Sequence, residues 1–207
     1  RHKWPISLGH FYSTFTGFLG FKMLEGEYKM MGLAPYGEPK YKNLILEKIL
    51  LLKPFGKYEL NTNICDYHAA LRDRFSSEMK LLFGAPKKNE EEPNQHHIDL
   101  AASVQAAFED ALAHILSPAT SIHPPIKNLV ISGGCALNVT ANGKLLSNKM
   151  FNQIIIPPAP HDAGCAIGAC LAVLDKIKYE SVRSPYLGRT FSEKEIKAAI
   201  KVKGLKT

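Results

Sequence analysis

Apolar residues recur at spacings of three and four along much of this chain, and in two places they gather into short β-branched runs. Between residues 10 and 24, Phe11, Tyr12, Phe15, Phe18 and Phe21 fall on one helical face, which predicts a core helix. Gly17 and Gly20 weaken an isolated helix, so their expected use is close packing against a neighbour. Residues 41–52 (YKNLILEKILLL) predict an amphipathic helix with a strongly apolar end. A turn and a short strand around Tyr58 to Leu60 follow, and residues 66–83 predict one or two helices. The stretch GAPKKNEEEPNQ, residues 84–95, is the most polar in the chain and reads as a surface loop. From Ile98 to Leu116 a helix is predicted, with Ala101, Ala102, Phe108, Leu112 and Ile115 on its apolar face and Gln105 as an exception to it. Ser117 to Pro125 then form a proline-containing connection.

The β-branched runs have a different character. Leu129-Val130-Ile131 is long enough for a buried strand, and Ser132-Gly133-Gly134 then strips the chain of bulk before a helix holding Asn138 and Asn142. Some twenty residues on, Gln153 to Ile156 runs into PPAPHDAG, with His161 and Asp162 just ahead of a helix rich in Ala and Gly. Two strand-turn-helix units side by side, each with glycine and a polar residue at its strand's C-terminal end, make the kind of crevice in which α/β sheets bind ligands. Spacing alone equally allows two ordinary turns in which Gly and Asp serve only the backbone. Near the C-terminus, residues 191–201 predict a helix with Ser192 as N-cap and Glu195 completing a capping box.

Composition narrows the classes. With 207 residues, 45% hydrophobic and 22% charged, the chain is of ordinary globular make-up and large enough for one real core. No run of 18 apolar residues is present, so no membrane helix is expected. The net charge of +7 comes from scattered lysines without an aromatic-interleaved stripe, so nucleic acid is not the expected partner. None of the four cysteines forms a C-x-x-C pair; Cys135, Cys165 and Cys170 sit among Ala and Gly and read as small buried hydrophobes of a reduced, cytoplasmic protein. His96 and His97 are adjacent and lack i,i+4 spacing, so they read as surface residues rather than metal ligands. Lys29 is the lone lysine of an apolar run, either an ordinary surface residue or, if buried, a partner for phosphate.

Taken in order, SLGHFYSTFTGFLGF, EYKMMGLAPYG, DLAASVQAAFEDAL, ISGGCALNVTANGKLL, IIIPPAPHDAGCAIGA and SPYLGRTFSEKEI resemble the carbamoyltransferases of the nodulation-protein-U and cephem-carbamoyltransferase type, across Ser7 to Ile196. The resemblance implies an α/β fold: a ribonuclease-H-like half of an actin/Hsp70/sugar-kinase domain, a mixed sheet with packed helices, here helix-rich. It implies residues 1–182 as the second subdomain of the transferase domain and 183–207 as a linker into a further domain. It implies an ATP-dependent O-carbamoyltransferase that moves a carbamoyl group from carbamoyl-adenylate, made from carbamoyl phosphate and ATP, to a hydroxyl of a small-molecule acceptor. Carried over position by position, Gly133, Gly134, Asn138 and Asn142 match the adenosine-binding turn, and Lys29 and Gly32 match the motif bordering the nucleotide or carbamoyl site. Asp162 matches a ligand of a divalent metal, iron or magnesium. No residue is assigned as catalytic. The family's paired histidines and first phosphate turn lie upstream of Ser7, and its adenylate-forming domain downstream. The expected partners are therefore those missing parts, and the chain alone is expected to have no turnover, with homo-oligomers expected where apolar surface is bare. Two other readings stay open: a tRNA threonylcarbamoyl-transfer-like protein and a non-catalytic nucleotide-binding module.

Overall fold

The structure, a computed structural model, describes residues 3–124, 126–173 and 188–203. The chain clusters into two compact units, Arg1–Ile156 with Pro160–Asp162, and Pro157–Ala159 with Ala163–Thr207. The expected boundary between residues 182 and 183 lies outside the described residues.

In the first unit the aromatic stretch forms α1 (Leu8–Phe18), capped by Ser7, whose hydroxyl accepts the Gly9 and His10 amides. The helix stops earlier than the aromatic pattern suggests. Gly20 turns the chain at φ +73°, and a Cβ there would lie 2.7 Å from the Lys87 carbonyl oxygen. α2 (Glu27–Leu33) and a 3-10 turn (Ala34–Tyr36) follow, then α3 (Lys42–Lys48).

The helix expected over residues 41–52 is divided. Its apolar tail is strand β1 (Leu50–Lys53), antiparallel to β2 (Lys57–Leu60) with Leu50 opposite Leu60 and Leu52 opposite Tyr58. A continuous apolar run fits either element, and the Pro54–Gly56 turn brings β2 back to claim its backbone hydrogen bonds. α4 (Tyr67–Ala70) and α5 (Ser77–Phe83) account for the next stretch. His10 stacks on Tyr67 with ring centroids 4.0 Å apart, fixing α4 on α1.

α6 (Gln95–Ser121) is the spine of this unit and touches α1, α2, α3, α7 and both hairpin strands. It starts earlier than expected because Asn94 caps it and His97 takes the place of the usual Glu in the capping box, its Nδ1 accepting the Asn94 amide. The two histidines are therefore not the surface residues anticipated. His97 is buried, and burial lowers its pKa, which keeps Nδ1 free to accept. His96 lies between Tyr41 Oη at 2.9 Å and the Phe83 carbonyl oxygen at 2.7 Å. The helix also runs on through Pro118, past its expected end. Proline leaves the His114 carbonyl without its helical donor, and the Ser117 hydroxyl supplies one at 2.8 Å.

Asp99, buried on α6, anchors the loop after the 3-10 turn. It accepts from the Glu38 amide at 3.0 Å, from Gln95 Nε2 at 2.8 Å and from Lys40 Nζ at 2.5 Å. The lysine first, then the two neutral donors, hold its carboxyl down to about 2. A carboxyl depressed below its unfolded value of about 3.9 contributes stability above that pH and loses it as pH falls towards 2. Thermal melts of the wild type should therefore lose more Tm between pH 5 and 3 than those of Asp99→Asn, and parallel curves would remove this role.

Downstream of α6, β3 (Asn128–Val130) pairs in parallel with β4 (Gln153–Ile155), with Leu129 opposite Ile154. Between them lie a 3-10 turn (Gly134–Leu137) and α7 (Val139–Ser147). The core of this unit gathers Phe11, Phe15, Phe18, Phe83, Phe108 and Leu100, all close to fully buried. The second unit contains α8 (Gly164–Ala172) and α9 (Glu193–Val202). α9 carries the expected capping box between Ser192 and Glu195. α8 buries none of its residues, so Cys165 and Cys170 are exposed rather than buried as expected; an apolar composition alone does not supply a covering neighbour. The architecture is thus α/β and helix-rich, with two small sheets among the described residues. No helix among them is long and apolar enough to cross a membrane.

Candidate functional site

The parallel pairing of β3 and β4 brings two turns to the same end of one sheet. The Pro160 carbonyl oxygen ties them together. It accepts the Gly133 amide at 2.6 Å and the Ser132 hydroxyl at 3.1 Å. The glycine turn and the turn leading to His161 and Asp162 are therefore neighbours, as their spacing in the sequence suggested.

Gly133 adopts φ +100° and ψ +167°, a region open in practice only to glycine. Gly133 and Gly134 are both exposed, and among the described residues no atom lies within 4 Å of a Cβ built on either. The result is a bare patch of backbone at the C-terminal end of a parallel strand, a surface that a flat or phosphate-bearing ligand can approach closely. The second turn is tight. A Cβ at Gly164 would stand 2.2 Å from the Ala159 carbonyl oxygen, so the glycine of the Asp-Ala-Gly sequence is required by its own unit.

Asn138 and Asn142 sit below this patch rather than on it, at 7% and 9% exposure. Asn138 caps α7, its Oδ1 accepting the Ala141 amide at 3.0 Å. The same amide group forms a reciprocal pair with Gln105 on α6, 3.0 Å in each direction. Asn142 Nδ2 donates to the Ala136 carbonyl oxygen at 2.7 Å, bracing the 3-10 turn, while its Oδ1 is buried with no partner among the described residues.

Beneath the turn, the fold adds groups that the sequence pattern did not single out. The Tyr12 hydroxyl donates to Gln105 Oε1 at 2.7 Å, and Gln105 Nε2 donates to Glu109 Oε1 at 2.7 Å. Glu109 Oε2 pairs with Lys144 Nζ on α7. Burial raises the Tyr12 phenol well above its ordinary range, so it remains a donor. The signal was visible: a glutamine interrupting an apolar helical face, with a glutamate four residues on. Cys135, within the 3-10 turn, is pushed up to about 11 by burial, so it stays a thiol and does not suit a nucleophile.

Lys29 and Gly32 are exposed on α2, which packs on α1 and α6, and α1 in turn touches the 3-10 turn of the glycine patch. Lys29 Nζ lies 6.0 Å from the Tyr28 ring centroid, and no ion pair of Lys29 is found among the described residues. Gly32 has nothing within 4 Å of a built Cβ among the described residues, which thus give no packing reason for a glycine inside this helix. A cavity of about 710 Å³ bounded by Phe75, Lys87 and the 86–91 loop shares no residue with the glycine turn.

Asp162 is exposed, two residues past the Pro160 carbonyl that holds Gly133. Among the described residues no three His, Cys, Asp or Glu side chains converge as a metal site. One carboxylate does not assemble a ligand set, so these residues do not by themselves fit a metal.

A sequence model of the carbamoyltransferase N-terminus matches residues 1–171, which takes in α1 to the glycine patch and Asp162. The chain belongs to the carbamoyltransferase family. It is 41% identical over 208 residues to an uncharacterized protein of Synechocystis sp., covering 95% of this chain and 33% of that one. It is 37% identical to the nodulation protein NolNO of Sinorhizobium fredii over 86% of this chain and 24% of the relative. To the nodulation protein NolO of Bradyrhizobium diazoefficiens it is 39% identical, over 83% and 29%. The chain thus spans about a quarter to a third of the length of these carbamoyltransferase-family relatives.

Proposed function

We propose that this chain forms the nucleotide face of an ATP-dependent O-carbamoyltransferase. In this reading carbamoyl phosphate, ATP and water give carbamoyl-adenylate, with inorganic phosphate leaving from the first and pyrophosphate from the second. The hydroxyl oxygen of a small-molecule acceptor attacks the carbamoyl carbon, and a new carbon–oxygen bond forms. The bond from that carbon to the adenylate oxygen breaks, AMP leaves with the electron pair, and the hydroxyl proton is released. Gly133 and Gly134 offer backbone to the adenosine, and Asn138 and Asn142 hold the turn that carries them. Lys29 and Gly32 border the phosphate or carbamoyl end. A glycine costs about 0.5–1 kcal/mol against alanine inside a helix, and close approach of a ligand is a reason to keep it at position 32.

Asp162 offers one carboxylate to a divalent cation, iron or magnesium, whose other ligands come from the rest of a longer protein. That protein also supplies the adenylate-forming domain, and β3 and β4 belong to a ribonuclease-H-like half of an actin/Hsp70/sugar-kinase domain. The bare apolar residues Val130, Val139 and Leu146 are open to those parts or to a second copy.

One observation carries this reading: in a chain of this family, a parallel strand pair ends in two turns, tied through Pro160, of which one presents open glycine backbone and the other leads to the exposed Asp162. The test is to give the full-length protein ATP, labelled carbamoyl phosphate and a set of hydroxyl acceptors. AMP and carbamoylated acceptor should form in equal amounts, and only when carbamoyl phosphate is present; the 207-residue chain by itself should show no turnover. Transfer without ATP, or turnover by this chain alone, would overturn it.

A further inference from the structure

Every polar atom of the Gln105 side chain is engaged inside the fold. Its Oε1 accepts from Tyr12 and Asn138, and its Nε2 donates to Asn138 and Glu109. These partners come from three different places: α1, the end of the glycine turn, and the next turn of α6 itself. Glu109 extends the chain of contacts to Lys144 on α7. The helix that follows the glycine turn is thus held twice, through its cap at Asn138 and through Lys144.

Such a network is an odd choice if only stability is at stake. A hydrocarbon pair of matching volume at positions 105 and 138 is often as stable as, or more stable than, a buried polar one. What the reciprocal amide pair adds is direction. Two antiparallel hydrogen bonds fix the plane of the Asn138 amide, and the Ala141 bond then fixes where α7 begins. Among the described residues no atom packs on a Cβ built at Gly133 or Gly134, and Gly133 is held only through backbone, its amide by the Pro160 carbonyl and its own carbonyl by the Ala136 amide of the 3-10 turn. Their placement therefore depends on what lies beneath.

We propose that Gln105 is a positioning residue for the nucleotide site: its amide pair with Asn138 sets where Gly133 and Gly134 present backbone to the nucleotide. This rests on the nucleotide reading of the turn given above. The two ideas separate experimentally, because the position of the turn can be read without any ligand.

The experiment uses the full-length protein and its Gln105→Met variant, with ATP as the probe, and follows both steady-state kinetics and amide hydrogen exchange. The expected result is a KM for ATP raised at least tenfold, with kcat at saturating ATP within threefold of wild type. Exchange of the amides from Gly133 to Asn138 should quicken at least tenfold while those of α1 keep their protection. A role confined to folding gives the opposite pattern: lower kcat from fewer active molecules, unchanged KM and faster exchange throughout. That pattern overturns the proposal. If wild type shows no saturation with ATP, the nucleotide reading fails, and the exchange data alone decide whether Gln105 sets the turn. Should Gln105→Met not fold, Lys144→Ala removes the exposed end of the network and is expected to raise KM two- to threefold with the same local exchange change. Unchanged KM and exchange in that variant contradict the proposal.

Discussion

Gly37→Ala is expected to destabilise the fold by about 3 kcal/mol, the upper part of the range for forcing an extra carbon into a packed site. The backbone angles at Gly37 suit any residue, φ −118° and ψ 171°, so conformational strain is not the cause. The cause is approach. A Cβ there would lie 2.4 Å from the Ile98 carbonyl oxygen, 2.6 Å from its carbon and 2.9 Å from the Asp99 nitrogen, all backbone of α6. Helix backbone cannot swing aside as a side chain can. The Pro35–Gly37 segment must lift instead, which pulls the Glu38 amide and Lys40 away from Asp99 and the Tyr41 amide away from Ser103 Oγ. At roughly 2–4 °C per kcal/mol for a protein of this size, the melting temperature should fall by roughly 6–12 °C. A thermal melt within 2 °C of wild type would show that the segment does not sit on α6 as described. Gly32→Ala, five residues earlier, is the contrast: with nothing within 4 Å it should leave the fold as stable or more so.

That pair of glycines shows what could be read from the chain and what could not. Both belong to EYKMMGLAPYG, and nothing local separates them. The demand on Gly37 comes from a helix more than sixty positions away, so it is fixed by tertiary approach. Local signals fared well where the physics is local. The Gly133-Gly134 pair and the Ser192 cap each specify their own few residues, and turn and capped helix stand where they were expected; the Leu129-Val130-Ile131 run does give a strand, but one whose Val130 is exposed rather than buried, since an apolar run does not supply its own cover. The tail of residues 41–52 was misread because an unbroken apolar run has no period, and only pairing with β2 decides it. The start of α6 was missed because a histidine can close a capping box, which composition rules reserve for Glu or Gln. Gln105 was set aside as an exception, although a buried amide within an apolar stripe is a sign that something polar faces it. The sequence motifs also drew attention to Asn138 and Asn142 as ligand contacts, whereas their side chains are largely committed beneath the turn.

Gly133→Val is expected to have the largest effect on function. At φ +100° and ψ +167° a β-branched side chain faces a cost of about 1–3 kcal/mol, so the turn must reshape or the residue must stay strained. Either outcome places three carbons on the open backbone patch that Gly133 and Gly134 now share. The residue is exposed and lies outside the aromatic core of α1, α5 and α6, so the protein should still fold and the change should register as lost affinity. A tenfold loss corresponds to about 1.4 kcal/mol, well within what the substitution imposes. Gly143→Ala is the matched control. It lies on α7 with nothing within 4 Å, and it should leave affinity alone while steadying the helix slightly.

The central claim is that this glycine turn is a nucleotide-binding surface, and calorimetric titration of ATP into the full-length protein tests it most directly. Saturable binding by wild type and by Gly143→Ala, weakened at least tenfold in a folded Gly133→Val variant, is the predicted result; equal affinity in all three, or no ATP binding by wild type, would contradict it.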